Sequence, residues 1–127
     1  MYEYSVKLLR VIDGDTVEFD VDLGFKVHKI EMLRLAGIDT PELNSPIESV
    51  RERAKAAKAL VEQRLSGVAG IRVRTEKPYP TDKYGRWLGN VVIQATSEDK
   101  WVSVNEALVN AGLAVRYDGG KKIEETA

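Results

Sequence analysis

The sequence predicts a mainly β fold with α: a five-stranded barrel in Greek-key order, a helix between strands three and four, and a short C-terminal helix. Three observations predict it. Apolar and polar residues alternate in five separate runs. Tight-turn residues divide the first three runs into a meander. Two Ser-x-x-Glu sequences, Ser45 to Glu48 and Ser103 to Glu106, each open a stretch of helical periodicity. At 127 residues the chain is one domain's worth, and at 43% hydrophobic it can fill a core without covalent staples.

Residues 4–11 and 16–22 are the first two strands, joined by Asp13-Gly14-Asp15, whose residue types suit a tight turn. Gly24 marks the next reversal. Residues 25–38 read as one long third strand, with Val27, Ile30, Met32 and Leu33 apolar and Gly37 permitting a bend. The first helix has Ser45 as N-cap, Pro46 at the first helical position and Glu48 closing a capping box. Ile47, Val50, Ala54, Ala57, Val61 and Leu65 form its stripe, and Gly67 suits the C-terminal cap. Residues 70–76 and 86–95 supply strands four and five, with a Pro-rich loop between them. The second helix runs from Ser103 to Gly112 with Val104, Ala107, Leu108 and Ala111 on one face. Three meander strands, a helix and two further strands are the pattern of the five-stranded OB-type β-barrel. The domain spans residues 1–117, and residues 118–127 read as a polar tail expected to fray.

Composition removes several classes of chemistry. The absence of cysteine excludes disulfides, zinc–thiolate sites and thiol catalysis, and His28, the single histidine, excludes a multi-histidine metal site. No apolar run has the length of a membrane span, so no membrane partner is expected, and no obligate protein partner is evident. The start MYEYSVKLLRV lacks an export signal, so a cytoplasmic location is expected; a secreted mature chain with an added methionine would look the same.

The net charge of −1, from 19 basic and 20 acidic residues, argues against binding nucleic acid by bulk positive charge. Its distribution is uneven. Residues 1–42 hold 5 basic and 9 acidic residues, whereas residues 43–86 hold 10 and 5. Most of these charges suit solvated faces, yet an acidic third can gather carboxylates for a cation and a basic middle can meet an anion.

Three segments concentrate ionisable residues. Ile12-Asp13-Gly14-Asp15-Thr16 alone reads as a hairpin turn, and an EF-hand reading fails because Val17 falls at a ligand position. Residues 34–42, Arg34-Leu35-Ala36-Gly37-Ile38-Asp39-Thr40-Pro41-Glu42, read alone as a strand end. Thr81-Asp82-Lys83-Tyr84-Gly85-Arg86 reads alone as a polar loop. Together they suit phosphodiester hydrolysis. Asp15 and Asp39 are hard oxygen donors of the kind calcium accepts, and Glu42 can polarise a water. Arg34 and Arg86 are forked donors suited to a phosphate and its transition-state charge.

Through IDGDT, LRLAGIDTPE, TDKYGR and NEALVNAGLA, in that order, the sequence resembles the staphylococcal nuclease (thermonuclease) family over residues 5–117. The resemblance implies the same OB-type fold and a calcium-dependent endonuclease. Such an enzyme hydrolyses DNA and/or RNA in single-stranded or unpaired regions and leaves 3′-phosphate ends. It makes Asp15, Asp39 and the Thr40 carbonyl ligands of one Ca2+ ion, and Glu42 the carboxylate that orients or deprotonates water. It makes Arg34 and Arg86 the catalytic arginines on the scissile phosphate. Lys83 and Tyr84 match contacts to a neighbouring phosphate, and Tyr117 lies near a position that stacks on a base. The sequence departs from the family by entering its helix almost directly after Glu42, through Leu43-Asn44-Ser45-Pro46, without a lysine-rich loop. The family's Tyr-Gly or Phe-Gly pair near that helix is missing, and its C-terminal helix is absent or vestigial. The competing expectation is a non-catalytic OB-fold module that binds single strands.

Overall fold

Alternation of buried and exposed residues along the first two strands builds the wall on which the rest of the chain is laid. In the computed structural model, which describes residues 2–75, 85–95, 100–117 and 122–123, β1 (Tyr2–Asp13) and β2 (Thr16–Asp22) pair antiparallel across a two-residue turn. β3 (His28–Leu35) pairs with β2 from Thr16↔Arg34 to Asp22↔His28. Val17 and Phe19 on β2 and Leu33 and Leu35 on β3 turn inward and are buried, each displacing water at a gain of about 2 kcal/mol.

Helix α1 (Glu48–Leu65) follows, then β5 (Gly70–Thr75) and β6 (Trp87–Gln94). β5 pairs with both β1 and β6, and β6 returns to meet β3 in parallel through Leu33↔Trp87, Arg34↔Leu88 and Leu35↔Gly89. That last pairing closes a five-stranded barrel of OB type, as the sequence predicts. β7 (Trp101–Ser103) adds to β6, and α2 (Val104–Asn110) follows it. Ala57, Val61 and Leu65 of α1 and Val104, Leu108 and Val109 of α2 join one core with the barrel interior. Among the described residues, no helix is long and apolar enough to cross a membrane.

The structure corrects the element reading in four places. The expected long third strand is broken: Leu23–Val27 form a loop, and Gly37, at φ 77°, splits off β4 (Ile38–Asp39). The expected capping box at Ser45 does not form, and α1 begins at Glu48 with Ile47 at its N-cap. Ser45 Oγ instead accepts from the Ile47 N–H at 3.2 Å, and Arg51 donates to the Ser45 carbonyl at 2.8 Å, so the hydroxyl is used in a turn before the helix. Ile47 is consequently exposed rather than part of the buried stripe. Finally, strand structure continues beyond residue 117: β8 (Val115–Tyr117) pairs with β4 on one side and with β9 (Lys122–Ile123) on the other. The second capping box is half realised: Ser103 Oγ accepts from the Glu106 N–H at 3.1 Å, while the Glu106 carboxylate turns to Arg116 at 3.0 Å.

Candidate active site

The site grows from the β1–β2 turn. Asp13 Oδ1 accepts from the Asp15 N–H at 3.0 Å, folding the turn onto itself. Gly14 is required there by space and not by angle, since its φ is not in the left-handed region. A Cβ on Gly14 would meet Ala57 Cβ of α1 at 2.7 Å and Thr40 Oγ1 at 3.0 Å. The Leu35 N–H donates to the Asp15 carbonyl at 2.8 Å, so the turn is also fastened to the end of β3.

These constraints hold the Asp15 side chain in a buried position. Its Oδ1 accepts from Thr16 Oγ1 at 3.3 Å and its Oδ2 from the Thr40 N–H at 3.4 Å. Arg34 Nη2 lies 3.6 Å from Asp15 Oδ2 and 3.3 Å from Asp39 Oδ1, so one guanidinium nitrogen stands between the two carboxylates. Burial pushes the Asp15 carboxyl up to about 6, with the neighbouring Asp13 acting in the same direction. The Arg34 charge and the Thr40 N–H oppose this shift without cancelling it.

Asp39 is carried on β4, in register with Val115 of β8. The Tyr117 N–H donates to the Gly37 carbonyl at 2.9 Å, and the Tyr117 ring lies 5.2 Å from Arg34 Cζ, a cation–π distance. Arg86, at the entry to β6, donates from Nη1 to Thr16 Oγ1 at 3.3 Å. A continuous polar chain thus runs Arg86, Thr16, Asp15, Arg34, Asp39. Behind it, buried Asn105 donates to the Ala36 carbonyl at 2.9 Å and the Gly89 carbonyl at 3.3 Å, and accepts from the Val91 N–H at 3.1 Å. That side chain ties the segment before β4 to β6 from the core side.

Of the residues singled out by sequence, Asp15, Asp39, Thr40, Arg34, Arg86 and Tyr117 are therefore brought together. Thr40 approaches Asp15 through its N–H. Glu42 lies just beyond them on an exposed stretch, and its side chain makes no hydrogen bond or ion pair with the described residues. Lys83 and Tyr84 lie outside the described residues. Two contributors had no predicted role. Thr16 stands inside the IDGDT motif, where a hydroxyl beside a carboxylate was the available signal. Asn105 opens the NEALVNAGLA motif and was otherwise signalled as a polar residue within an apolar helical run.

The donor set fits a hard cation. Two carboxylates converge on one positively charged nitrogen, and the burial that raises the Asp15 carboxyl to about 6 is a cost that a bound cation would offset. Among the described residues no group of three or more His, Cys, Asp or Glu side chains is gathered for a metal. An ion here would complete its shell with backbone carbonyls and water.

The family model described as staphylococcal nuclease homologue matches residues 32–127, three-quarters of the chain. The chain belongs to the staphylococcal nuclease family. Within this family it is 33% identical over 117 residues to the thermonuclease of Staphylococcus hyicus, covering 88% of this chain and 59% of that protein. It is 42% identical over 93 residues to the thermonuclease of Staphylococcus intermedius, covering 68% and 49%. Protein ParB of Escherichia coli is 32% identical over 118 residues, covering 91% and 58%. The chain spans between 49% and 59% of the length of these relatives. Membership in the staphylococcal nuclease family matches the resemblance carried by the four sequence motifs.

Proposed function

We propose that this chain is a calcium-dependent nuclease that hydrolyses phosphodiester bonds of DNA and/or RNA. The observation that carries the reading is the chain of contacts from Arg86 through Thr16 and Asp15 to Arg34 and Asp39. Asp15 and Asp39, with the Thr40 carbonyl, are the groups that would hold the ion. Bound there, calcium supplies charge to neutralise the phosphate and a site for water.

The protein's own groups supply the remainder. Arg34 and Arg86 reach the same carboxylate cluster from β3 and from the entry to β6. Two forked donors so placed suit the non-bridging oxygens of one phosphate, whose charge grows as a fifth oxygen approaches phosphorus. Glu42, exposed beside the cluster, can hold and orient a water for in-line attack or take its proton. Attack of water at phosphorus with departure of the 5′ oxygen leaves a 3′-phosphate on one fragment and a 5′-hydroxyl on the other. Tyr117, stacked beside Arg34, offers its ring to a base of an unpaired strand. Lys83 and Tyr84 are assigned to a neighbouring phosphate by the family resemblance.

Digestion of heat-denatured DNA and of RNA, with calcium or with a chelator, tests this reading. Cleavage that needs calcium and yields 3′-phosphate ends is the expected outcome. The exposed position of Glu42, outside the contact chain, favours one second reading, a single-strand-binding module without catalysis. Retained single-strand binding with no cleavage at any calcium concentration would establish that reading in place of the first.

A further inference from the structure

The far end of the β2–β3 hairpin carries a feature that the proposed nuclease site does not use. The Gly24 N–H donates to Asp22 Oδ1 at 2.8 Å, and Leu23 and Val27 close the loop through N–H to carbonyl bonds of 2.9 Å. Within it Gly24, Phe25 and Lys26 have φ of 84°, 53° and 64°, a left-handed run that two of the three residues adopt against their preference. The result holds the Phe25 side chain fully in solvent, at 101% relative exposure, with Leu23 and Val27 about half exposed beside it.

The same hairpin borders a cavity of about 260 Å³ at the mouth of the barrel. Phe19, Val21, Leu23, Leu33, Val73 and Trp87 supply most of its wall, with Lys29 and Glu31, 2.7 Å apart, among its polar groups. A dry apolar cavity of roughly 150 Å³ is enough to admit a benzene ring. An unpaired aromatic knob and a hole of sufficient size therefore lie two residues apart in sequence, at Phe25 and Leu23.

We propose that this hairpin is a self-association surface, in which Phe25 of each copy enters the barrel-mouth cavity of a second copy. Because knob and hole lie on one element, both contacts can form reciprocally about a two-fold axis, and that closed pair is the arrangement proposed. Charge does not oppose that occupant, because Glu31 on the wall is held by Lys29 at 2.7 Å and the pair is neutral. A nucleic-acid strand is the poorer occupant, because the lining is mostly apolar and its Lys29 is already held by Glu31, which leaves a phosphate little to bind. Phe25 brings about 200 Å² per copy, and with Leu23, Val27 and the covered cavity rim the two copies bury on the order of 1,000 Å². That is the range of weak, reversible dimers.

Sedimentation velocity from about 10 μM to about 1 mM, the range appropriate to a small interface, tests the proposal. The mass should rise from monomer to dimer across that range. In a Trp101→Phe background Trp87 is the only tryptophan, and its emission should shift in step with the mass. Phe25→Ser should remain monomeric with an unchanged melting temperature. Val21→Phe, which fills the cavity from inside, should also remain monomeric. Mixing these two variants should restore a heterodimer, since one retains the hole and the other the knob. A wild-type chain monomeric throughout, or a Phe25→Ser chain that dimerises like wild type, overturns the proposal.

Discussion

Arg34 Nη2 lies 3.3 Å from Asp39 Oδ1, across a turn of only five residues, and 3.6 Å from Asp15 Oδ2 on a different turn. The two carboxylates come from separate hairpin and strand ends yet share one positive group. The same guanidinium is the one expected to meet phosphate, so its location couples the charge balance of the fold to the chemistry of the site.

Removing that guanidinium is expected to have two separable effects. Arg34→Ala should reduce turnover by about 10²-fold or more, the usual effect of losing a transition-state donor. It should also destabilise the calcium-free chain by about 3 kcal/mol, because Asp15 and Asp39 are left without their cation. Calcium should then raise the melting temperature of the variant more than that of wild type. Cleavage rates and urea unfolding, each with and without calcium, measure these effects. An equal calcium response in both proteins would argue that the ion binds elsewhere.

The buried Asp15 carboxyl sets a pH dependence with a definite sign. Its folded value near 6 exceeds the ordinary aspartate value of 3.8, so the folded state holds this proton more tightly than the unfolded chain. Its contribution to calcium-free stability is fully present below about 4 and is lost as pH rises through about 6. Asp15→Asn cannot ionise and should flatten that part of the profile. Chemical unfolding of both proteins in calcium-free buffer from pH 4 to pH 7 gives the comparison.

Thr16 joins Arg86 to Asp15, and Thr16→Val keeps its shape while removing the hydroxyl. Turnover should fall by roughly 10-fold as Arg86 loses a fixed position, while Thr16→Ser should retain most activity. Stability should change by less than about 1.5 kcal/mol, as befits one lost hydrogen bond. If Thr16→Val cleaves at the wild-type rate, Arg86 is positioned by its other contacts.

Gly14→Ala should destabilise the protein by about 1–3 kcal/mol, since its new methyl meets Ala57 and Thr40 and packed neighbours must shift. Ala57→Gly alone should cost about 1 kcal/mol through helix propensity. The double variant should recover part of the loss, and a double-mutant cycle by urea unfolding reads that coupling.

Local patterns made the barrel legible, and the same patterns hid how the site is held. Alternation in residues 16–22 and the stripe Ala54, Ala57, Val61 and Leu65 each depend on near neighbours, and both match the observed burial. The Ser45 start misleads because the same hydroxyl can cap a helix or close a turn, and sequence does not distinguish the two. The pairing of Ile38–Asp39 with Val115–Tyr117 is invisible to periodicity, because two- and three-residue strands have no period to detect. Asp15, Asp39, Arg34 and Arg86 stood out as an unusual concentration of charge. Thr16, an uncharged residue, links two of them only through contact distances.

The pairing of β4 with β8 has a consequence for the newly made chain. Asp15, Arg34, Asp39 and Glu42 are synthesised within the first 42 residues, but the strand beside Asp39 begins only at Val115. A nascent or clipped chain lacking residues 115–123 would hold every acidic group of the cluster while missing both the β8 partner of Asp39 and the Tyr117 ring over Arg34. The charge cluster and the strand that braces it are thus contributed by distant parts of the sequence, and they meet only once residues 115–117 have docked beside Ile38–Asp39.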